Sequence, residues 1–125
     1  MNSLIITNPK SGLEKSKKIL DSIVIPKLES KKINYKNLFT KNQFHAVELI
    51  ENEKINDFDF ILVLGGDGTM HEVINGMLNR NDNVNIPIGL LPTGSGNSLL
   101  HDIGDINIVE SLDTILQYNI SNIDI

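Results

Sequence analysis

The sequence contains no cysteine and no tryptophan, and its aromatic residues are limited to two Tyr and four Phe. Without cysteine there can be no disulfide, no thiolate metal site and no cysteine nucleophile, which fits a reducing compartment. Basic charge is also short. Eleven Lys and Arg stand against sixteen Asp and Glu, for a net charge of −5 and a pI near 5.0. Nucleic-acid binding needs a basic stripe to meet phosphate, so nucleic acid is not an expected partner. Long apolar runs are missing as well. The longest, Phe60 to Leu64, falls far below the roughly 20 residues needed to cross a bilayer. Met1-Asn2-Ser3 supplies no basic flank, and Leu4-Ile5-Ile6 is too short for the core of a signal peptide. Scarce aromatics leave little for interfacial anchoring. The expectation is a cytoplasmic chain.

What is present is globular in balance: 125 residues, 40% hydrophobic and 22% charged. Against a prior of about 150 residues per domain, that is room for one. Three short apolar runs organise it. Ser3 to Thr7 runs into Asn8-Pro9-Lys10-Ser11-Gly12, and Phe58 to Leu64 into Gly65-Gly66-Asp67-Gly68-Thr69. The third, Ile86 to Leu91, runs into Pro92-Thr93-Gly94-Ser95-Gly96-Asn97. Continuous Ile, Leu and Val without polar alternation are what strands buried on both faces look like. A weaker strand spans Asn34 to Thr40.

Helical patterns lie between. In Leu13 to Lys32, Leu20, Val24 and Leu28 recur every four residues on one face, and Pro26 should kink or break the pattern. Further helices are expected near Gln43 to Glu53, with Ala46, Leu49 and Ile50 inward, over Thr69 to Asn79, and over Val109 to Tyr118, with one turn at Ser98 to Asp102. Ser121 to Ile125 reads as the start of another strand. Strands alternating with helices imply right-handed crossovers and a mainly parallel α/β sheet.

In such a sheet, ligands sit beyond the carboxyl ends of the strands. All three Gly-rich loops fall there, and each leads into a helix whose free N–H groups and positive dipole end favour anions. Glycine lets the backbone approach a phosphate with no side chain in the way. Each loop alone could be an ordinary turn. Three at one edge would make a polyanion cradle from main-chain donors.

Single residues carry double readings. Thr69 and Glu72 spell T-x-x-E, a capping box for the helix they begin. Asp67 is harder to explain as a turn residue, because a carboxylate among phosphate-binding amides repels the ligand unless it meets Mg²⁺ or accepts a proton. His45 and His71 read as solvated or structural, and no partner at zinc spacing accompanies them. The P-loop pattern, G-x-G-x-x-G after the first strand and G-x-S-x-G are all absent.

Taken together, the motifs resemble the N-terminal nucleotide-binding domain of the diacylglycerol kinase and sphingosine kinase family of lipid kinases. Asn8 to Gly12 is similar to that family's N-P-x-[SG]-G, and Thr40 to Ala46 to its T-x-x-x-x-H-A. Gly65 to Gly76 is similar to G-G-D-G-T followed by x-x-E-V-x-N-G, and Leu91 to Asn97 to L-P-x-G-[ST]-G-N. Gly94-Ser95-Gly96-Asn97-Ser98 with His71-Glu72 leans toward the sphingosine kinase branch, since bacterial diacylglycerol kinases usually carry Asp where Ser98 stands.

The resemblance implies a three-layer α/β/α fold with a mainly parallel sheet, shared with NAD kinases and phosphofructokinases. It implies that residues 1–125 form an ATP-binding domain, with ATP and Mg²⁺ as cofactors and a lipid as the second substrate. Asp67 would be the catalytic carboxylate. Nucleotide contacts would come from Asn8, Pro9, Lys10, Ser11, Gly12 and Thr40. Gly65, Gly66, Gly68, Thr69 and Glu72 would add theirs, with Gly94, Ser95, Gly96 and Asn97 on the third loop. The family's second, β-rich domain, which forms the lipid pocket, has no counterpart in these residues, and Asn122 to Ile125 resembles the strand leading toward it. The lipid substrate implies transient contact with a membrane surface, although the acidic balance supplies no electrostatic pull toward anionic headgroups. A nucleotide-binding interaction module without catalysis and an NAD kinase-like phosphotransferase are the alternative readings.

Overall fold

The computed structural model of the chain describes residues 1–10, 15–93 and 101–123. Strand β1 spans Asn2–Thr7, β2 Asn34–Phe39, β3 Phe60–Gly65 and β4 Ile88–Pro92. They form one sheet in the order β2-β1-β3-β4, every pairing parallel. The sheet runs in sequence from β1 outward to β2, then back across β1 to β3 and on to β4.

Helices cover both faces, as parallel strands require. The side-chain alternation of β1 and β3 shows the division. Ile5, Phe60, Leu62 and Leu64 point to one face and pack with Leu20, Val24, Leu28, Leu112 and Leu116. Leu4, Ile6, Ile61 and Val63 point to the other and pack with Ala46, Ile50 and Val73. Phe60 through Leu64 are fully buried, so β3 forms the centre of both cores. Each such side chain is worth about 1.5–3 kcal/mol relative to exposure. The expected three-layer α/β/α architecture is present.

The first crossover is helical in three pieces: α1 (Lys15–Ile19), a π-helical turn (Leu20–Val24) and α2 (Ile25–Ser30). The π turn precedes Pro26, and Ile25 N–H reaches back to Leu20 O. A proline cannot donate to the ladder and crowds the preceding turn, and one widened turn absorbs that misfit, as the sequence led us to expect.

On the opposite face lie α3 (His45–Asn52) and α4 (Asp67–Leu78). They pack closely at Gly76, where an added Cβ would stand 2.7 Å from Ile50 Cβ and 3.0 Å from Val47 O. The expected capping box does not form. Helix α4 begins at Asp67, with Gly66 as its N-cap and no side-chain cap bond. Thr69 therefore lies inside the first turn, and Asp67 is the acidic residue that complements the dipole.

The C-terminal reading is also corrected. Where two short helices and a strand were expected, one helix, α5, runs from His101 to Ile123. Ile108, Leu112 and Leu116 continue a four-residue stripe against the sheet, and Asn119 turns its amide to Ile115 O at 2.8 Å. Residues 121–123, expected as strand, are the last of this helix. Residues 98–100 and 124–125 lie outside the described residues.

Candidate functional site

All four strands end at one edge of the sheet, and hydrogen bonds tie the ends together. Asn8 N–H donates to Leu64 O at 2.9 Å, Thr40 N–H to Thr7 O at 2.9 Å and Thr93 N–H to Gly65 O at 3.1 Å. Asn8 also folds its own loop, its Oδ1 accepting Lys10 N–H at 3.1 Å, while its Nδ2 lies 3.4 Å from Thr69 Oγ1. On the far face, the Ser16 and Thr93 hydroxyls hydrogen-bond to each other in a fully buried setting. The start of α1, the second loop and the end of β4 are thus joined. The chain leaves β1 and β3 toward opposite faces here, which makes this edge the topological switch point where doubly wound sheets bind ligands.

A cavity of about 540 Å³ opens at that point. Its walls come from Asn8 and Lys10 after β1, Thr40 to Gln43 after β2, and Gly66, Gly68, Thr69 and Glu72 at the start of α4. Gly66 and Gly68 are instructive: a Cβ built at either would meet no described atom within 4 Å. Packing among the described residues does not demand glycine there. A ligand approaching the amides of an α4 N-terminus would. Gly65 differs, since its Cβ would stand 2.8 Å from Thr69 Oγ1.

Lys10 and Lys41 line the cavity, and neither takes part in an ion pair among the described residues. Glu72 is committed elsewhere, its Oε1 accepting Ala46 N–H at 3.2 Å. It thus caps α3 rather than its own helix. At the other end of α3, Arg80 Nη1 donates to Ile50 O and Glu53 O, both at 2.7 Å. A carboxylate at the positive end and a guanidinium at the negative end both suit the dipole of α3. Arg80 is itself held by Asp82, with Nη2 to Oδ2 at 2.5 Å. The Arg80 hydrogen bond, then that from Val84 N–H, holds the Asp82 carboxyl below its ordinary value.

The wall between β2 and α3 is tightly wound. Phe44 adopts left-handed backbone at φ 67° and is exposed, a conformation costing of order 1–3 kcal/mol that only surrounding structure maintains. Lys41 N–H donates to His45 Nδ1 at 2.8 Å, and His45 N–H to Asn42 O at 3.2 Å.

Of the residues expected at the site, Asn8, Lys10, Thr40, Gly66, Gly68, Thr69 and Glu72 line this cavity. Pro9 and Gly65 sit beside it without lining it. Asp67 is exposed at the first position of α4, between two lining glycines. Ser11, Gly12, Gly94, Ser95, Gly96 and Asn97 lie outside the described residues. Lys41, Asn42 and Gln43 were missed, being the unspecified positions of T-x-x-x-x-H-A. The rule that ligands gather at strand ends was the one signal that could have found them. Among the described residues no three His, Asp or Glu cluster as a metal site.

Fold and site together define a doubly wound α/β unit with an anion-receptive corner at its switch point. The family model described as diacylglycerol kinase catalytic domain matches residues 2–125, and the chain belongs to that family. It is 40% identical over 99 residues to sphingosine kinase 1 of Rattus norvegicus, covering 77% of this chain and 26% of that one. Sphingosine kinase 1 of Caenorhabditis elegans is 39% identical over 104 residues, covering 79% and 22%. A crystal structure of a diacylglycerol kinase from Bacillus anthracis strain Sterne superposes with a TM-score of 0.71 at 29% identity, covering 94% of this chain and 42% of that one. The chain thus spans about a quarter of the length of the curated relatives it matches.

Proposed function

We propose that residues 1–125 are the ATP-binding domain of a lipid kinase, holding the nucleotide in the cavity beyond β1, β2 and β3. The supporting observation is the pair Gly66 and Gly68, which line a cavity of about 540 Å³ and at which a Cβ would meet no other described atom. That volume lies within the range of about 300–1,000 Å³ usual for small-molecule sites. Lys10 and Lys41 supply the charge that a polyphosphate seeks, and the α4 amides supply donors. The reaction this serves is transfer of the γ-phosphoryl group to a lipid hydroxyl, with ADP leaving. The hydroxyl proton passes to Asp67, whose exposed position leaves it open to an acceptor arriving from solvent. Positioning and charge stabilisation provide most of the rate in such transfers.

Names of relatives favour a sphingoid base over diacylglycerol as acceptor. Mg²⁺, on this reading, is carried chiefly by the phosphates, as is usual for that ion. The reading places the protein in the cytoplasm, where ATP is supplied, with transient access to a membrane that holds the lipid.

Isothermal titration of ATP into the chain tests the proposal. Saturable one-to-one binding is expected. Asp67→Asn should keep or raise the affinity, since a negative charge leaves the anion site, and should abolish phosphotransfer to sphingosine in any form of the protein that performs it. A folded chain that gives no heat at millimolar ATP overturns the reading.

A further inference from the structure

We infer that His45 is a positioning residue for the nucleotide cavity, acting in its neutral form through Nδ1. The inference rests on the nucleotide reading above and concerns the cavity wall between β2 and α3. Thr40 is fixed by the end of β2 through its bond to Thr7 O, and His45 is fixed as the first residue of α3. Between them, Lys41, Asn42 and Gln43 face the cavity, and Phe44 turns the chain through left-handed backbone. Two bonds close this loop on itself: Lys41 N–H to His45 Nδ1, and His45 N–H to Asn42 O. The second is main chain to main chain and does not titrate. The first exists only while Nδ1 carries a lone pair, which puts the ring proton on Nε2.

Protonation converts that acceptor into a donor aimed at another donor. The wall then loses its side-chain tie and relaxes at the strained Phe44, and Lys41 leaves its place beside the cavity. The charged and titratable groups on the elements packed about His45 include Lys41 next to it on the loop, Glu48 one turn along α3, Asp67, His71 and Glu72 on α4, where Glu72 bonds Ala46 N–H, and Lys10 on the wall after β1. An imidazolium here would also attract phosphate through solvent. At 0.15 M salt that attraction is damped over about 8 Å, whereas the lost hydrogen bond acts at contact. Acid should therefore weaken nucleotide binding.

The test uses the 125-residue chain and His45→Asn, because an asparagine Oδ1 can take the place of Nδ1 as an acceptor and does not titrate. ATP affinity is measured by calorimetry between pH 5.5 and 8.0 for both proteins, and their ratio cancels the titration of ATP itself. His45→Asn should bind within about threefold of the wild type at pH 8.0, while His45→Ala is weaker. Toward pH 5.5 the wild type should fall behind His45→Asn by about three- to tenfold, the scale of one hydrogen bond.

A readout independent of nucleotide accompanies this. The Lys41 amide resonance in a ¹H–¹⁵N spectrum of the free chain should follow the imidazole titration in the wild type and stay flat in His45→Asn. A constant affinity ratio, or a Lys41 amide indifferent to the imidazole, overturns the inference. If ATP fails to bind either protein while the Lys41 amide still tracks His45, the nucleotide reading falls and the His45 tie stands.

Discussion

Helix α4 carries glycines in two settings, and the contrast separates architecture from ligand space. In its last turn, Gly76 is pressed against Ile50 and Val47, and a Cβ has nowhere to go. At its entry, Gly66 and Gly68 face open volume. The same residue type allows two helices to approach in one place and keeps a cavity clear in the other. Glycine content alone says nothing about which.

The contrast can be broken by substitution. Gly76→Val should have the largest effect on stability, about 3 kcal/mol or more, because β-branched bulk overpacks a fixed helix–helix contact. Urea unfolding followed by circular dichroism reads it as a lowered midpoint. Arg80→Ala should come next, at about 1–2 kcal/mol, since part-buried carbonyls at the end of α3 lose a charged donor. The same denaturation experiment checks this, and a midpoint equal to the wild type would show those bonds to be dispensable.

Gly68→Ala should sharpen the comparison from the other side. Its folding stability should stay within about 0.5 kcal/mol of the wild type or rise, alanine being the better helix former. Its ATP affinity should nevertheless fall about tenfold, as expected if a new methyl group meets the ligand. Equal affinity would mean that the open volume is not where ATP lies.

The smallest effect belongs to acid. Asp82 titrates below its ordinary value of 3.8 because Arg80 holds it. Its stabilising contribution is complete above the unfolded value and is lost as the pH falls through the lower folded one. Asp82→Asn should remove that part of the acid sensitivity, visible as a shallower loss of thermal stability between pH 4 and pH 2.

Much of this was legible in the sequence because the signals are local. The runs around Ile5, Leu62 and Leu90 became β1, β3 and β4, whose carboxyl ends share one edge of the sheet, and Pro26 marked the irregular turn in the first crossover. The clustering of Asn8, Thr40, Gly66 and Gly68 followed from strand ends in a parallel sheet. What failed was decided by distant partners. T-x-x-E at Thr69 and Glu72 satisfies a local rule, yet Glu72 bonds to Ala46, 26 residues away in sequence. Ser121 to Ile125 reads as the start of a strand, but the stripe through Ile108, Leu112 and Leu116 carries a helix packed on Gly89 on to residue 123, and a Cβ at Gly89 would stand 2.9 Å from Ile115. Lys41 to Gln43 have no compositional mark, because their role depends on where β2 stops.

The bracing of α3 by Glu72 and Arg80 has an engineering consequence. With both of its ends fastened to one neighbour, that helix is a fixed abutment, and β2 is the other. The stretch from Thr40 to Phe44 is a bridge deck between two piers, open to rewriting or lengthening without disturbing either support. On the proposed nucleotide reading, changing what the pocket prefers should start with that replaceable span.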